Sequence, residues 1–233
     1  MPKRKSLLFF AFLIAFCGGF FALLYTNRNY HRPPPARAVW SPPEKAIRVV
    51  CCNVRRNQAT IDKVFDDIRK LEPDIVLLQE VEKTQLSQMT EALQTLPAIY
   101  HASENIGGQR ASWGNAICSR YPLYEGSSVP KTAGGSFGVW ATVVVGNAKF
   151  KIASIHLAAG GWELGQLAQA WQAAGSPPIF IGGVFSQQPG SGPWTDAMKG
   201  KTTSETTFLM SKEWKSIETG GSDDQPIWVL AGK

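Results

Sequence analysis

Two short apolar stretches decide the fold: IRVVCCNV at residues 47–54 and DIVLLQE at residues 74–80. Each is an apolar run of the length that buried strands have. Between them, five apolar side chains recur at helical spacing, namely Ile61, Val64, Phe65, Ile68 and Leu71. This spacing predicts a helix over residues 59–71, which Pro73 ends. Because parallel strands need a crossover that is usually a helix, the strand–helix–strand unit predicts parallel pairing.

The rest of the domain continues this alternation of strands and helices. A hairpin is predicted where Gly146 and Asn147 separate the apolar runs 140–145 and 149–154, since a two-residue loop joins antiparallel strands. Further strands are predicted at 115–119, 137–145, 150–156, 178–181, 206–210 and 226–230, and further helices at 82–96 and 162–174. Many strands among few helices predict an α/β fold in which two sheets pack face to face with helices outside.

The composition bounds the class of protein. A chain of 233 residues accommodates one medium domain and a short appendage. Hydrophobic residues make up 44% and charged residues 18%, which excludes general disorder. The net charge of +6 is compatible with anionic partners such as nucleic acid or lipid headgroups. Several of the positive charges flank one apolar segment, however, so charge alone does not establish a nucleic-acid binder.

The four cysteines do not indicate a disulfide framework or a zinc site. Cys17 lies in the N-terminal apolar segment, and Cys118 stands alone. Cys51 and Cys52 are adjacent, and neighbours on a strand point to opposite faces, so a bridge between them is not expected. We expect the three cysteines of the domain to be core residues.

An uncharged run at residues 6–25 follows a basic tail at residues 1–5. The run is long enough to span a bilayer as a helix. It is also longer than the apolar region of a signal peptide, and no small-x-small cleavage site follows it closely. The sequence therefore favours a retained single-pass membrane anchor, with cleavage and secretion as the alternative.

The charges around the apolar run predict its orientation. Basic residues are concentrated before it and spread out after it, which favours a cytoplasmic N-terminus and a domain on the periplasmic or extracellular side. Residues 26–44 carry five prolines, which stiffen a chain toward polyproline II. We expect these residues to form a stalk, followed by one domain at residues 45–233.

Five segments along the domain, taken in order, resemble the endonuclease/exonuclease/phosphatase superfamily. They are RVVCCNVRRN (48–57), PDIVLLQEV (73–81), GNAICSRYPL (114–123), ASIHLAAG (153–160) and SDDQPIWVL (222–230). This superfamily includes apurinic endonucleases, pancreatic-type deoxyribonucleases, sphingomyelinases and inositol-phosphate phosphatases. The resemblance implies a four-layer α/β sandwich and a hydrolase that cleaves phosphate esters with the help of Mg²⁺ or Mn²⁺.

The resemblance also implies roles for four residues. Glu80 matches the family's metal-binding glutamate. Asp223 matches the aspartate of the family's C-terminal Ser-Asp-His motif, for which the resemblance implies a role in catalysis and in metal binding. Asn53 matches the asparagine near the metal and the phosphate, and His156 matches the histidine that contacts the scissile phosphate. Three of them also have a plainer interpretation: Glu80 as a solvated strand end, Asn53 as a turn cap, and His156 as a core histidine.

The sequence departs from the family where the family activates water. The family's Gly-Asp-Phe-Asn motif falls on Gly182-Gly183-Val184-Phe185, so Gly183 and Phe185 replace its aspartate and its asparagine. Asp224 stands in place of the histidine of the Ser-Asp-His motif, and Thr206 in place of a further aspartate. Positioned acid–base groups contribute about 10²–10⁴-fold each to rate, so these departures predict impaired hydrolysis.

Three functions stay open at this point. The first is an impaired or inactive family member kept as a membrane-tethered binding domain. The second is an active metal-dependent phosphoesterase or nuclease with a rearranged site that rests on Asn53, Glu80, His156 and Asp223. A separate alternative is that Asp224 binds a metal and forms a three-carboxylate cluster with Glu80 and Asp223. The third is a non-enzymatic interaction module with an aromatic surface, drawn from Trp113, Trp140, Trp162, Trp194 and Trp214. The expected ligand is a phosphate-containing molecule, either nucleic acid or phospholipid, and the sequence indicates no particular protein partner.

Overall fold

The computed structural model describes residues 46–55, 61–106, 109–129, 137–157, 165–167, 169, 171, 180–185, 194–196, 206–211, 215–220 and 226–232. In chain order the elements are β1 (Ile47–Asn53), α1 (Ile61–Lys70), β2 (Ile75–Glu82), a 3₁₀ turn (Lys83–Gln85), α2 (Leu86–Ala92), β3 (Ala98–Ile106), β4 (Gln109–Ser119), β5 (Leu123–Ser128), β6 (Phe137–Val145), β7 (Ala148–Leu157), β8 (Phe180–Phe185), β9 (Trp194–Asp196), β10 (Thr206–Ser211), β11 (Lys215–Gly220) and β12 (Ile227–Gly232). Residues 165–167, 169 and 171 are also helical.

The strands form two mixed sheets. The first sheet has the order β11-β12-β1-β2-β4-β3, and the second has the order β5-β6-β7-β8-β10-β9. Within these sheets β1 pairs with β2 in parallel, and β7 pairs with β8 in parallel. The parallel pairing predicted for the first strand–helix–strand unit is therefore confirmed.

Three apolar clusters hold the layers together. The inner core lies between the sheets and joins residues such as Cys51 and Leu77 of the first sheet to Ile152 and Phe180 of the second. Helices α1 and α2 cover the outer face of the first sheet, where Phe65 is fully buried. Leu167 and Trp171, which are both helical, pack on the outer face of the second sheet. Two packed sheets with flanking helices form the predicted α/β sandwich.

The hairpin predicted between β6 and β7 is present. Val145 pairs with Ala148, so Gly146 and Asn147 form the two-residue loop. Gly146 has a φ of 58°, and glycine is the residue that adopts this left-handed conformation without steric cost. A positive φ at the first loop position is the pattern of a type II′ turn, whose twist matches the flanking strands.

The domain cysteines are buried and free, as expected. Cys51 faces the inner core, whereas Cys52 faces the helices. Burial raises the pKa of the Cys52 thiol to about 12 and raises the pKa of Cys51 as well. Since the thiolate is the reactive form, neither cysteine is suited to act as a nucleophile.

One predicted helix is shorter than expected. Strand β2 continues to Glu82, and α2 covers Leu86–Ala92 rather than the predicted residues 82–96. The Gln85 side chain accepts a hydrogen bond from the Glu82 backbone N–H at 2.9 Å, and the two residues form a capping box that starts the 3₁₀ turn. A cap at Glu82 ends the strand and delays the helix.

The basic tail, the apolar run at 6–25 and the stalk at 26–44 lie outside the described residues, as does Cys17. The anchor, the domain boundary at residue 45 and the orientation therefore stay predictions. In the part of the chain that the structure describes, no helix combines the length and hydropathy needed to cross a bilayer.

Candidate functional site

Two of the predicted site residues come from neighbouring parallel strands of the first sheet. Asn53 is the last residue of β1, and Glu80 lies near the end of β2. Asn53 is in register with Gln79, the residue before Glu80. Because the carboxyl ends of parallel strands lie at the same edge of a sheet, these two side chains are neighbours.

The second sheet brings His156 to the same edge. Gln79 Nε2 donates to Ser154 Oγ at 2.8 Å, which aligns β2 with β7 across the sandwich. Further along, Trp113 pairs with Glu82, and its ring centroid lies 6.0 Å from that of His156. Strands β2 and β7 therefore run in the same direction. Their C-terminal ends, one from each sheet, lie at the same side of the sandwich.

A β-bulge in β2 sets the position of Glu80. Leu78 pairs with Ala116 and Val81 pairs with Gly114, so β2 has one residue more than β4 in this interval. Glu80 has a φ of 55°, and the left-handed region costs a residue with a side chain about 1–2 kcal/mol. Bulges of this kind redirect a side chain next to a functional site.

The bulge turns Glu80 onto the face between the sheets. Regular alternation would direct it to the helices, together with Leu78. Asn53 shares the alternation of Cys51, which lies in the inner core. Asn53 Nδ2 donates to Glu80 Oε1 at 3.0 Å, so the carboxylate lies on the same inner face as Asn53.

Both polar atoms of the Asn53 side-chain amide form hydrogen bonds. Its Oδ1 accepts a hydrogen bond from the Arg55 backbone N–H at 2.9 Å, which closes a turn, while its Nδ2 contacts Glu80. Arg55 follows the strand with a φ of 53°. Asn53 is thus both the turn cap and the partner of Glu80, so the two interpretations from sequence are compatible. The arrangement fixes the orientation of the Glu80 carboxylate.

His156 is half-buried and lies near the C-terminal end of β7, a central strand of the second sheet. Its ring meets the Trp113 ring at an interplanar angle of 48°. An imidazole that is partly accessible at a strand end suits contact with a ligand better than a fully buried one. The interpretation of His156 as a core histidine is therefore less favoured by its position.

Gly183 occupies a place where no side chain fits. A β-carbon on Gly183 would clash with the Ile155 carbonyl oxygen and lie 2.8 Å from Ile155 Cγ1. Phe185 is 4% exposed and packs in the outer core with Trp171. Gly183 and Phe185 alternate with Gly182, which faces Cys51 of the inner core. Both altered positions therefore lie on the face of β8 that is turned away from the first sheet and from the candidate site. Val184, between them, pairs with His156 and shares the inner face of Gly182.

The remaining altered and matching positions are less completely described. Thr206 lies in β10 and pairs with Val184. Asp223 and Asp224 lie outside the described residues, so the three-carboxylate cluster stays a prediction.

Among the described residues at this edge, Glu80 is the carboxylate proposed to bind a metal ion. Across the described ranges, no three side chains of His, Cys, Asp or Glu are grouped to hold a metal ion. Mg²⁺ is often bound through one or two carboxylates, with substrate phosphates and water completing its shell. The inward-facing Glu80 carboxylate therefore fits the role of one ligand among several.

Of the five tryptophans predicted to form an aromatic surface, the side chains of two are described, and these two do not form one surface. Trp113 contacts His156 between the sheets. Trp140 packs against the outer core of the second sheet, and Lys151 Nζ lies 4.6 Å from its ring centroid. Trp162, Trp214 and the side chain of Trp194 lie outside the described residues. The described pair lends no support to an aromatic docking surface.

Sequence reasoning missed three polar residues beneath the site: Gln79, Asn115 and Ser154, each with 0% exposure. A signal was present, since each interrupts an apolar strand with an uncharged polar side chain. Buried polar groups require hydrogen-bond partners, so such interruptions mark places where strands are joined by their side chains.

The sequence model of the Endonuclease/Exonuclease/phosphatase family matches residues 51–183. This match covers more than half of the chain, and the chain belongs to this family. A comparison with curated proteins gives no match.

Solved structures share the fold at low sequence identity. The human Nocturnin catalytic domain with bound sulfate anion is 18% identical, with a TM-score of 0.62 over 86% of this chain and 98% of that chain. D. rerio TDP2 complexed with single strand DNA product is 14% identical, with a TM-score of 0.61 over 81% and 99% of the two chains. A family protein from Leptotrichia buccalis is 15% identical, with a TM-score of 0.64 over 81% and 100%. At these identities the likeness concerns the fold alone.

Proposed function

We propose that this chain binds phosphodiesters at the Asn53–Glu80–His156 edge and hydrolyses them poorly or not at all. The observation that carries the proposal is the apolar character of β8 beside His156: Val184 pairs with His156 and shares the inward face of Gly182. The family's aspartate orients or deprotonates the attacking water, and β8 supplies no carboxylate here, neither from Val184 on the inner face nor from Gly183 on the outer face. Phe185 leaves the second position of the motif equally without a polar group.

The residues of the binding half have distinct tasks. Glu80 is proposed as a ligand of Mg²⁺ or Mn²⁺, and Asn53 keeps its carboxylate on the inner face through the 3.0 Å hydrogen bond. A bound divalent ion supplies charge neutralisation for the phosphate. His156 is proposed to contact a phosphate oxygen from the second sheet, and Asp223 to complete the metal site.

The ligand class is proposed to be single-stranded nucleic acid. The net charge of +6 favours a polyanion, and one structure with this fold is D. rerio TDP2 complexed with a single strand DNA product. A phospholipid presents the same diester chemistry and suits a domain tethered to a membrane. The two ligands are separated by experiment below.

The test measures binding and turnover in parallel with the full chain in detergent. Binding of a labelled single-stranded oligonucleotide is followed by fluorescence anisotropy with Mg²⁺ and with EDTA. We expect Mg²⁺ to strengthen binding, and Glu80→Ala to abolish this difference. Glu125→Ala is the matched control, because Glu125 is another glutamate with a left-handed backbone (φ 50°), placed in β5 of the second sheet.

Turnover is measured with bis(4-nitrophenyl) phosphate and Mg²⁺ or Mn²⁺, and we expect none above the buffer rate. Turnover that Glu80→Ala removes would contradict the impairment and favour the active enzyme with a rearranged site. Binding of anionic phospholipid vesicles without any binding of the oligonucleotide would assign the site to lipid. Absence of both kinds of binding would reject the proposed function.

A further inference from the structure

A polar bridge crosses the inner core directly beneath the candidate site. We define it by three side chains with 0% exposure: Gln79 of β2, Asn115 of β4 and Ser154 of β7. Their surroundings are otherwise apolar, and include Cys51, Leu77 and Phe180. Burying polar groups is unfavourable unless they are hydrogen-bonded. Most of the polar atoms of these side chains are hydrogen-bonded to one another or to neighbouring groups, and among the described residues Asn115 Oδ1 has no partner.

Ser154 is the centre of the polar bridge. Its Oγ donates to the Leu78 carbonyl oxygen at 2.8 Å and accepts from Gln79 Nε2 at 2.8 Å. Its backbone carbonyl accepts from Asn115 Nδ2 at 3.1 Å. All three bonds connect β7 of the second sheet to β2 or β4 of the first.

The remaining contacts of Gln79 extend the bridge to two more strands. Gln79 Nε2 also approaches the Gly182 carbonyl oxygen of β8 at 3.4 Å, and Cys51 Sγ of β1 donates to Gln79 Oε1 at 3.5 Å. The bridge thus touches all four strands that carry Asn53, Glu80, His156 and Gly183, and also β4.

Each member of the bridge lies one or two residues from the site. Gln79 precedes Glu80, Ser154 lies two residues before His156 on the same face of β7, and Asn115 lies two residues after Trp113. Glu80 and His156 belong to different sheets, and apolar packing between sheets is not directional. Hydrogen bonds are directional and set the distance between their partners.

We propose that Gln79, Ser154 and Asn115 are positioning residues, which fix the register of the two sheets and thereby the placement of Glu80 relative to His156. This inference rests on the proposed function, because it assumes that one ligand is held from both sheets. A slip of one sheet against the other would leave each half of the site intact and separate the halves.

The test compares two buried serines in the full chain. Ser154→Ala removes the centre of the polar bridge. Ser119→Ala is the matched control: Ser119 also has 0% exposure, accepts one hydrogen bond from the Tyr121 N–H, and lies at the opposite end of the first sheet, opposite Ile75. Gln79→Met, which keeps the length of the side chain without its polar atoms, replaces Ser154→Ala should that variant not fold.

Two readouts separate positioning from stability. The first is oligonucleotide affinity in Mg²⁺, which we expect to fall about tenfold in Ser154→Ala, the effect of roughly one net hydrogen bond, and to stay unchanged in Ser119→Ala. The second is the nuclear Overhauser effect between the Trp113 indole and the His156 imidazole, with histidine and tryptophan selectively labelled. The chain has three histidines, which makes the assignment tractable. We expect this signal to weaken in Ser154→Ala only.

The outcomes are distinguishable. Equal losses of affinity in both serine variants, or an unchanged Trp113–His156 signal in Ser154→Ala, would overturn the positioning role. If the wild-type chain binds no oligonucleotide and no phospholipid, the proposed function fails. The Trp113–His156 signal then decides by itself whether the polar bridge sets the register of the sheets.

Discussion

Gly183 has no room for a side chain, because β8 approaches β7 so closely that the Ile155 carbonyl oxygen fills the place of a β-carbon. An aspartate at this position would have to push two central strands apart. Its carboxylate would also lie on the outer face of β8, away from Asn53, Glu80 and His156. A single reversion is not expected to recover hydrolysis.

We predict that Gly183→Ala destabilises the domain by about 1–3 kcal/mol, the usual cost of overpacking a filled core. Gly183→Asp should cost more and restore no Mg²⁺-dependent turnover. Denaturant unfolding and the diester assay measure the two effects. Gly165→Ala is the control, since Gly165 is helical with nothing within 4 Å of an added β-carbon, and it should gain up to about 1 kcal/mol. Recovered turnover in Gly183→Asp would contradict the steric argument.

The sequence predicted that Asn53 and Glu80 lie close together, but it did not predict which way Glu80 faces. Asn53 and Glu80 follow from the family resemblance, and the structure joins them by a hydrogen bond. Alternation along β2 would have directed Glu80 to the helices. Its actual face depends on one extra residue relative to β4, and a bulge is a property of the pairing of two strands that neither strand shows alone.

At the scale of secondary-structure elements, a residue with a strained backbone follows the end of α1. Glu72 follows the helix with a φ of 47° and is exposed. Its backbone N–H donates to the Arg69 carbonyl oxygen at 3.0 Å, which closes the last turn. A left-handed residue just after a helix is usually glycine, so the chain here tolerates a backbone conformation that a glutamate disfavours.

We predict that Glu72→Gly stabilises the domain by about 0.5–1 kcal/mol, because the relief of the left-handed strain exceeds the entropy that glycine loses on folding. Glu91→Gly, at an exposed position inside α2, is the matched control and should lose about 1 kcal/mol. Thermal and denaturant unfolding compare the two variants. A loss of stability in Glu72→Gly would show that the helix end does not carry this strain.

The strands that sequence patterns failed to predict share one property. They are β3, β5, β9 and β11, which are the two edge strands of each sheet. Central strands are buried on both faces and show continuous apolar runs. Edge strands such as β11, Lys215–Gly220, carry charged and small residues, which protect an exposed edge from pairing with other chains. The same chemistry removes the apolar pattern that indicates a strand.

At the scale of the whole molecule, the apolar run at residues 6–25 is the predicted link between the domain and a membrane. We predict that the full chain stays in the membrane fraction after alkaline carbonate extraction and that externally added protease reaches the domain. The double substitution Leu13→Arg and Ala15→Arg should release the chain from membranes, because each charge at the centre of a spanning helix costs about 2.5–3.5 kcal/mol. A chain found shortened by about 25–45 residues would favour a cleaved signal peptide, whose apolar core is only about 7–15 residues long.

The pairing of β1 with β12 has a consequence for how the protein is made. Ile47 pairs with Ala231 and Cys51 with Ile227, so β1 gains one of its two neighbours only when residues far along the chain have been synthesised. Contacts of such large sequence separation form late in folding. During translation, one edge of β1 therefore stays open until β12 has left the ribosome, and an unpaired apolar strand of this kind exposes the nascent chain to aggregation and is the surface that chaperones protect.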